Sequence, residues 1–285
     1  MRKRAIPRVD NHNKDAVPDM MMSERPVTDG ENGDRQFVTA LARGLEVLRA
    51  FTTAEPLLGN QEIAAFTGLP KPTVSRLTYT LTRLGYLSYS ERLGKYQLGT
   101  PVLSLGHAVL NSLHIRQMAR PYMQALADHG NASVSLGGRD RLSMVYVEHC
   151  RSDAAVTLRL DLGSRLPIAT TAMGRALLAA LPEAERAHLM EAIRREDPVG
   201  WPRVRDGIEQ AVADYRRQGF VTSMGDWQPD VNAVGVPLFP PDGSPIMAFN
   251  CGGPSYLLSP ERLIEDLGPR LVVLARNVAA AGTTG

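Results

Sequence analysis

Residues 60–87 read NQEIAAFTGLPKPTVSRLTYTLTRLGYL. Asn60 offers a side-chain cap for a short helix whose Ile63, Ala64 and Phe66 point inward and which Gly68 stops. Leu69-Pro70-Lys71-Pro72 follows, and proline is tolerated at a helix start because the first N–H groups have no intrahelical partner. Val74, Leu77, Leu81 and Leu84 then recur at intervals of 3, 4 and 3, one face of a further helix that ends at Gly85. Its other face carries Thr73, Ser75, Arg76, Tyr79, Thr80 and Arg83, with no carboxylate between Glu62 and Glu91. A merely solvated helix face usually mixes Glu with Lys and Arg. A face laid against duplex DNA needs donors for phosphates and base edges, and it must avoid negative charge because the duplex repels carboxylates. The pattern points to a DNA-reading helix. Thr73, Ser75, Arg76 and Tyr79 lie in the half that enters the major groove first and are the candidate base readers. Arg83, further along, is a candidate phosphate contact.

The flanking sequence fits the same reading. Upstream, Phe37, Leu41, Leu45, Leu48 and Phe51 repeat at 4, 4, 3 and 3, a helical face that Glu55-Pro56 ends. Downstream, Tyr86–Tyr89 and Lys95–Leu98 are β-prone and joined by a turn at Ser90–Gly94, which predicts a hairpin. Three short helices and a hairpin over residues 35–99 make a winged helix-turn-helix. Lys71 at the helix start, and Arg92 and Lys95 in the wing, are further phosphate candidates; for any one of them alone a solvated charge is nearly as good a reading. Residues 1–34 have no apolar periodicity and read as a flexible tail with a basic start, Arg2-Lys3-Arg4.

Residues 101–129 read as helical, with Val102, Leu105, Val109, Leu110 and Leu113, then Met118, Met123 and Leu126, and Pro121 as a kink or division. Its first part, residues 100–114, is the expected linker helix. An apolar face on a connector must be buried, either on its own domain or against a second copy. In residues 115–285 the candidate strands are Ser133–Leu136, Leu142–Val147, Val156–Leu160, Phe220–Thr222, Val234–Phe239 and Ile246–Cys251. The candidate helices are Ala172–Leu181, Glu183–Arg194, Val204–Gln218 and Pro260–Ala280. Strands in a run, then helices, then strands again predict an α+β fold with a largely antiparallel sheet.

Composition narrows the function classes. The chain has 285 residues, 44% hydrophobic and 22% charged, and a net charge of +2, ordinary for a globular protein. Residues 1–100 carry +3 and the remainder −1, and all four lysines, Lys3, Lys14, Lys71 and Lys95, lie in the first part, a weak sign of a basic head on a neutral body. No apolar run is long enough for a membrane helix, and no apolar core follows the basic N-terminus, so the expected location is the cytoplasm. Cys150 and Cys251 are too few for a disulfide framework and have no zinc-type spacing. No catalytic or nucleotide-binding motif appears, and neither a metal nor a cofactor is expected. Adjacent His149 and Cys150 would point to opposite faces of a strand, which disfavours a nucleophile–base pair. An enzyme, or a head that binds protein in place of DNA, are the rival readings.

The ordered set FVTALARGLEVLRAF (37–51), the 60–87 segment, GKYQLGTPVLSLG (94–106), GSRLPIATTAMGRALLAAL (163–181) and NCGGPSYLLSPERL (250–263) resembles IclR-family bacterial transcriptional regulators over residues 35–281. The resemblance implies a winged-helix head, a linker helix and a GAF-like effector-binding domain. It also implies dimers, or dimer-of-dimers tetramers, on palindromic double-stranded DNA operators, with a small-molecule effector. It places the effector between the sheet and its covering loops, with Leu166 as a wall and the backbone amides of Ala172 and Met173 facing an anion. Free N–H groups at a helix start do form such sites, although the same residues could simply begin a packed helix. The family's acidic ligand-facing residue matches Asp226, with Asp230 as alternative. Ala233 stands where some relatives have cysteine. Asn250 and Gly252 replace the two serines of the more usual Ser-x-Ser-Gly-Pro, and Ala169 replaces a common histidine. These departures count against glyoxylate- or pyruvate-like ligands. With Leu158, Leu166, Met144, Met173 and Trp227 as an apolar lining, an aromatic or medium-sized organic acid is expected.

Overall fold

The computed structural model describes residues 36–153 and 160–282. The head comprises α1 (Thr39–Arg49), α2 (Asn60–Thr67), α3 (Lys71–Arg83) and the antiparallel hairpin β1 (Leu87–Ser90) and β2 (Lys95–Leu98). Val47, Ala50, Phe51, Leu58, Ile63, Val74 and Leu87 form its core. The apolar face expected of α1 divides. Phe51 is buried and Leu48 half-buried, but Phe37, Leu41 and Leu45 are exposed. Only the C-terminal end of α1 reaches the core; its first half overhangs.

Helix α2 is not capped by Asn60. The cap is Gly59, whose N–H donates to the Glu62 carboxylate at 2.6 Å. The Asn60 amide instead joins α2 to α3, donating to Ser75 Oγ at 3.2 Å and accepting from Thr78 Oγ1 at 3.1 Å. Gly68 ends α2 with φ of +66°, a left-handed conformation that costs a glycine little, and so sets the turn between α2 and α3.

Two helices follow, α4 (Thr100–Ser112) and α5 (His114–Gly130), separated at Leu113, whose ψ of 78° is not helical. The expected division at Pro121 does not occur, because Pro121 lies on the exposed side of α5, where water can satisfy the carbonyl it leaves unbonded. The body then runs β3 (Ser133–Asp140), β4 (Ser143–Arg151), β5 (Arg165–Pro167), α6 (Ala172–Ala180), α7 (Glu183–Glu196) and α8 (Trp201–Gln218). It continues with β6 (Val221–Met224), β7 (Val231–Leu238), β8 (Met247–Pro254), α9 (Pro260–Arg262), a π-helical turn at Leu263–Leu267 and α10 (Gly268–Ala281). The six strands lie in the order β5-β4-β3-β8-β7-β6, each neighbouring pair antiparallel. This is the expected α+β architecture. Of the predicted strand Val156–Leu160, Leu160 is not in a strand and the rest lies outside the described residues, as do residues 1–34.

The sheet separates two cores. Helices α5 and α10 cover one face, with Met123, Leu136, Phe249, Cys251 and Leu271 buried between them and the strands. Helices α6, α7 and α8 cover the other, over Met144, Tyr146, Met173, Leu177, Ile193 and Ile208. Each such large side chain contributes roughly 1.5–3 kcal/mol by leaving water. Cys150 and Cys251 are both free and buried in the first core, with Val134 on the strand between them. Burial pushes the Cys251 thiol up to about 12, so it is an inert core residue.

One irregularity shapes the second face. Between Leu136 and Gly137 the β3–β4 register shifts, so that Leu136 faces Glu148 and Gly137 faces Tyr146. Val147 is the extra residue, and the bulge puts Tyr146 and His149, three apart, on one side of the sheet. Their rings stack with centroids 5.7 Å apart.

Candidate nucleic-acid interface and ligand cavity

Helix α3 stands with its polar side to solvent. Lys71, Ser75, Arg76, Tyr79 and Arg83 are exposed, as is Arg92 in the turn of the wing; Thr73 is half-buried. Tyr79 is 66% exposed although aromatic, which a solvated helix does not require. Val74 and Thr78 hold the helix to the core on its opposite side. Lys95 differs from the others. Its ammonium group bonds the Glu62 carboxylate at 2.8 Å and the Leu57 carbonyl at 3.4 Å, so its charge is engaged within the head and not offered to a phosphate. The fold brings β2 back onto α2, which sequence spacing does not reveal. The Gly59 N–H and then Lys95 hold the Glu62 carboxyl below its usual range.

In the body, Leu166, Ala172, Met173, Trp227, Ala233, Asn250 and Gly252 line one cavity together with Tyr146, Thr171, Ser223 and Val231. Its volume is about 20 Å³, room for one water. Helix α6 aims its N-terminus here. Thr171 caps it, accepting from the Gly174 N–H at 3.2 Å, while the Ala172 and Met173 N–H groups have no acceptor among the described residues. Gly235 makes this approach feasible: a Cβ there would lie 2.2 Å from the Ala172 carbonyl oxygen, so only glycine lets the helix start rest on β7. Two unbonded N–H groups at the positive end of a helix suit a carboxylate.

Asp226 is not part of the lining. Its carboxylate is taken by the buried guanidinium of Arg175 at 2.6 Å, with Arg203 at 3.9 Å. Arg175 also donates to the Ala169 carbonyl at 3.2 Å. A buried arginine needs a paired anion more than a ligand site needs a second negative charge, and the pair ties the Gly225–Asp230 segment, which carries Trp227, to α6. Asp230 is exposed. Met144 lies in the core opposite Leu166 on β5 rather than on the cavity surface, and Leu158 lies outside the described residues.

A model of the IclR C-terminal domain of bacterial transcriptional regulators matches residues 107–280, and one of the IclR helix-turn-helix domain matches residues 40–91. The chain belongs to the IclR family. It is 38% identical over 246 residues to the HTH-type transcriptional regulator TsaQ1/TsaQ2 of Comamonas testosteroni, covering 86% of this chain and 88% of that protein. It is 28% identical to the Pca regulon regulatory protein of Pseudomonas putida, over 86% of this chain and 84% of the other. A solved IclR-family regulator from Brucella abortus is 50% identical, with a TM-score of 0.83 over 91% of this chain and 97% of that one. This IclR-family chain is thus a DNA-binding transcriptional regulator. No helix among the described residues is long and apolar enough to cross a membrane, and no group of three metal-ligating side chains occurs among them.

Tyr146, which the sequence reading did not single out, also lines the cavity. Ser135 and His149 stand near it on the same side of the sheet but are not lining residues, and it is His149 that the bulge at Val147 brings to that side.

Proposed function

We propose that this regulator binds a palindromic operator as a dimer or dimer of dimers, and that a small organic acid, aromatic or of similar size, controls it from the cavity. The observation that carries the DNA reading is the exposed, carboxylate-free side of α3 with Arg76 and Tyr79 at its centre. The effector reading rests on the two unbonded N–H groups at the α6 start, in a cavity otherwise walled by Leu166, Met173 and Trp227. At about 20 Å³ the cavity is too small for an acid of six or more carbons, so binding one requires its lining to move apart. Self-association is supported by α4, which has no buried residue. Leu103 is 72% exposed there, beside exposed Leu105 and Val109, and the overhanging Phe37, Leu41 and Leu45 extend the apolar surface. A second copy supplies the burial that these side chains lack in one chain.

Communication from cavity to head has a short covalent and ionic route. Leu166 walls the cavity, and its neighbour Arg165 donates to Asp140 at the end of β3. Asp140 in turn accepts two hydrogen bonds from Arg49 of α1, at 3.0 and 3.1 Å. Arg141 pairs with Glu46, also on α1. Movement of β5 on ligand entry is thereby felt by the head.

The test is a gel shift on the DNA upstream of the protein's own gene, with and without acids that raise its melting temperature. Arg76→Ala is expected to weaken operator binding by roughly 1–3 kcal/mol, the worth of one good base contact, while binding to unrelated DNA changes little. Unchanged operator affinity in this variant removes α3 as the reading helix.

A further inference from the structure

The joint between α4 and α5 is bridged by a side chain. In an unbroken helix the Leu110 carbonyl would accept from the His114 N–H. The break at Leu113 removes that bond. Side chains close the end of α4 instead. Ser112 Oγ donates to the Val109 carbonyl at 2.8 Å, and Arg116 Nη1 donates to the Leu110 carbonyl at 3.4 Å. Arg116 belongs to the first turn of α5, just past the joint. Its own position is set by Glu148 of β4, whose carboxylate is buried. Arg116 Nε lies 2.8 Å from Glu148 Oε2, a contact held by charge because the Nε–H makes no hydrogen bond there. Arg120, one turn further along α5, donates from Nη1 to Glu148 Oε1 at 2.6 Å, and the His149 N–H donates to the same oxygen at 3.1 Å. A carboxylate this deep needs paired cations, and α5 supplies two. One carboxylate against two guanidinium groups leaves net positive charge beside the C-terminal end of α4, where the helix dipole favours it. Arg116 thus joins β4, α5 and α4, whereas Arg120 shares the carboxylate a full turn away from the joint.

We propose that Arg116 is a positioning residue for operator recognition: braced on Glu148, it sets the angle at which α4 leaves the body, and so the separation of half-sites that a pair of heads accepts. Helix α4 buries no residue of its own within one chain, so packing does not hold that angle. Arginine suits the task because its planar fork carries separated donors, one meeting the carboxylate and one the carbonyl. A lysine ammonium is a point charge, which answers the carboxylate without spanning to the carbonyl. When two heads must engage one palindrome, a linker held at one angle permits the second contact on the right spacing and opposes it on a wrong one. A slack linker tolerates both. The contacts of α1 with Asp140 and Arg141 hold the head at its other end and remain in every variant proposed. The proposal rests on the palindromic-operator reading above and adds the source of its spacing.

The experiment is fluorescence anisotropy of the full-length protein at fixed salt. The DNA is the operator footprinted upstream of its own gene, and the same operator with two base pairs inserted at its centre. The insertion turns one half-site by about 70° and moves it by about 7 Å. The parent is expected to lose at least about tenfold in affinity on the insertion, because the two heads no longer engage together. Arg116→Lys keeps a charge for Glu148 and is expected to lose less than about threefold. Arg120→Lys changes the same ionic cluster without touching the bond to α4, and it is expected to keep the parent's discrimination. Arg116→Met, which leaves Glu148 and Arg120 as a one-to-one pair, decides the matter if the lysine variant does not fold. Discrimination as strict in the folded Arg116 variants as in the parent, or equally relaxed in Arg120→Lys, overturns the brace and leaves the palindrome reading standing. A parent indifferent to the insertion, or without selective binding in that DNA, overturns the palindrome reading and the brace with it.

Discussion

Replacing Asp140 by asparagine should uncouple the cavity from the DNA-binding head while leaving each able to bind. Asp140 sits where three elements meet: it ends β3, accepts Arg165 from β5, and accepts both Nη1 and Nη2 of Arg49 from α1. Its burial alone would raise its pKa, but the hydrogen bonds of Arg165 and then Arg49 outweigh that and hold it below the ordinary value, so the carboxylate is charged at neutral pH. The side chains of Arg49 and Asp140 are 41% and 30% exposed, so the pair is worth only about 0.2–1 kcal/mol, with the two-pronged geometry favouring the upper end. Losing about 1 kcal/mol of coupling reduces an effector's influence on operator affinity roughly fivefold. The assay is fluorescence anisotropy of operator DNA, with and without a stabilising acid, at fixed salt. In Asp140→Asn and Arg49→Gln alike, affinity without acid should stay within about twofold of the parent's, and the acid-induced change should shrink by about fivefold. The double variant should be no worse than Asp140→Asn, since Arg49→Gln removes a bond that the first change already breaks. Full acid response in both single variants, or strictly additive losses in the double, would show that this contact carries no signal.

Other expectations follow from the same geometry. Lys71→Ala should lower the slope of log affinity against log salt by about 1, as loss of a phosphate contact does, whereas Lys95→Ala should leave the slope unchanged because its ammonium group belongs to Glu62. Leu103→Glu on the exposed face of α4 should shift the protein toward monomer in sedimentation velocity and weaken operator binding, with little change in melting temperature. The His149 pKa of about 4 lies below the ordinary 6.5, so the unfolded chain takes up the proton first. Stability should therefore be full above pH 6.5 and fall between pH 6.5 and 4 by about 1–3 kcal/mol, after discount for partial exposure of the ring. His149→Gln should flatten that part of the curve of melting temperature against pH.

What could be read from sequence was what local periodicity encodes. The spacing of Val74, Leu77 and Leu81 and the glycine after α2 announced α3 and its outward residues without reference to distant chain, whereas Leu84, the next in the series, lies past the helix end and is exposed. Family resemblance, not periodicity, placed Leu166, Ala172 and Met173 of the GSRLPIATTAMG segment, which border the same cavity as Asn250 and Gly252 from the far end of the sequence. The misreadings have long-range causes. Lys95 and Glu62 lie 33 residues apart and meet only because the wing folds onto α2. Asp226 was assigned to a ligand because nothing local reveals that Arg175, 51 residues earlier, would be buried beneath it. Tyr146 shares its face with Met144 by ordinary alternation and was legible; what the bulge at Val147 conceals is that His149 comes to the same side.

The same contrast bears on how the signal leaves the body. Sequence periodicity made α4 the natural transmitter, since it is the covalent link between head and effector domain. Yet α4 buries none of its own residues and meets α5 at the non-helical Leu113. A helix with no residue buried in its own chain, joined to α5 at a non-helical residue, is poorly placed to impose an angle on the head alone. Angle requires a second point of attachment, and the structure supplies it in Arg49–Asp140 and Glu46–Arg141, both on α1 and both at the β3–β4 turn. On the proposed function, with the joint at Leu113 as pivot and the turn as lever, a shift of β5 by an effector at Leu166 would become a rotation of the head. In the proposed dimer packed through α4, rotation of each head about its own joint would change the distance between the two copies of α3, which is the quantity a palindrome measures.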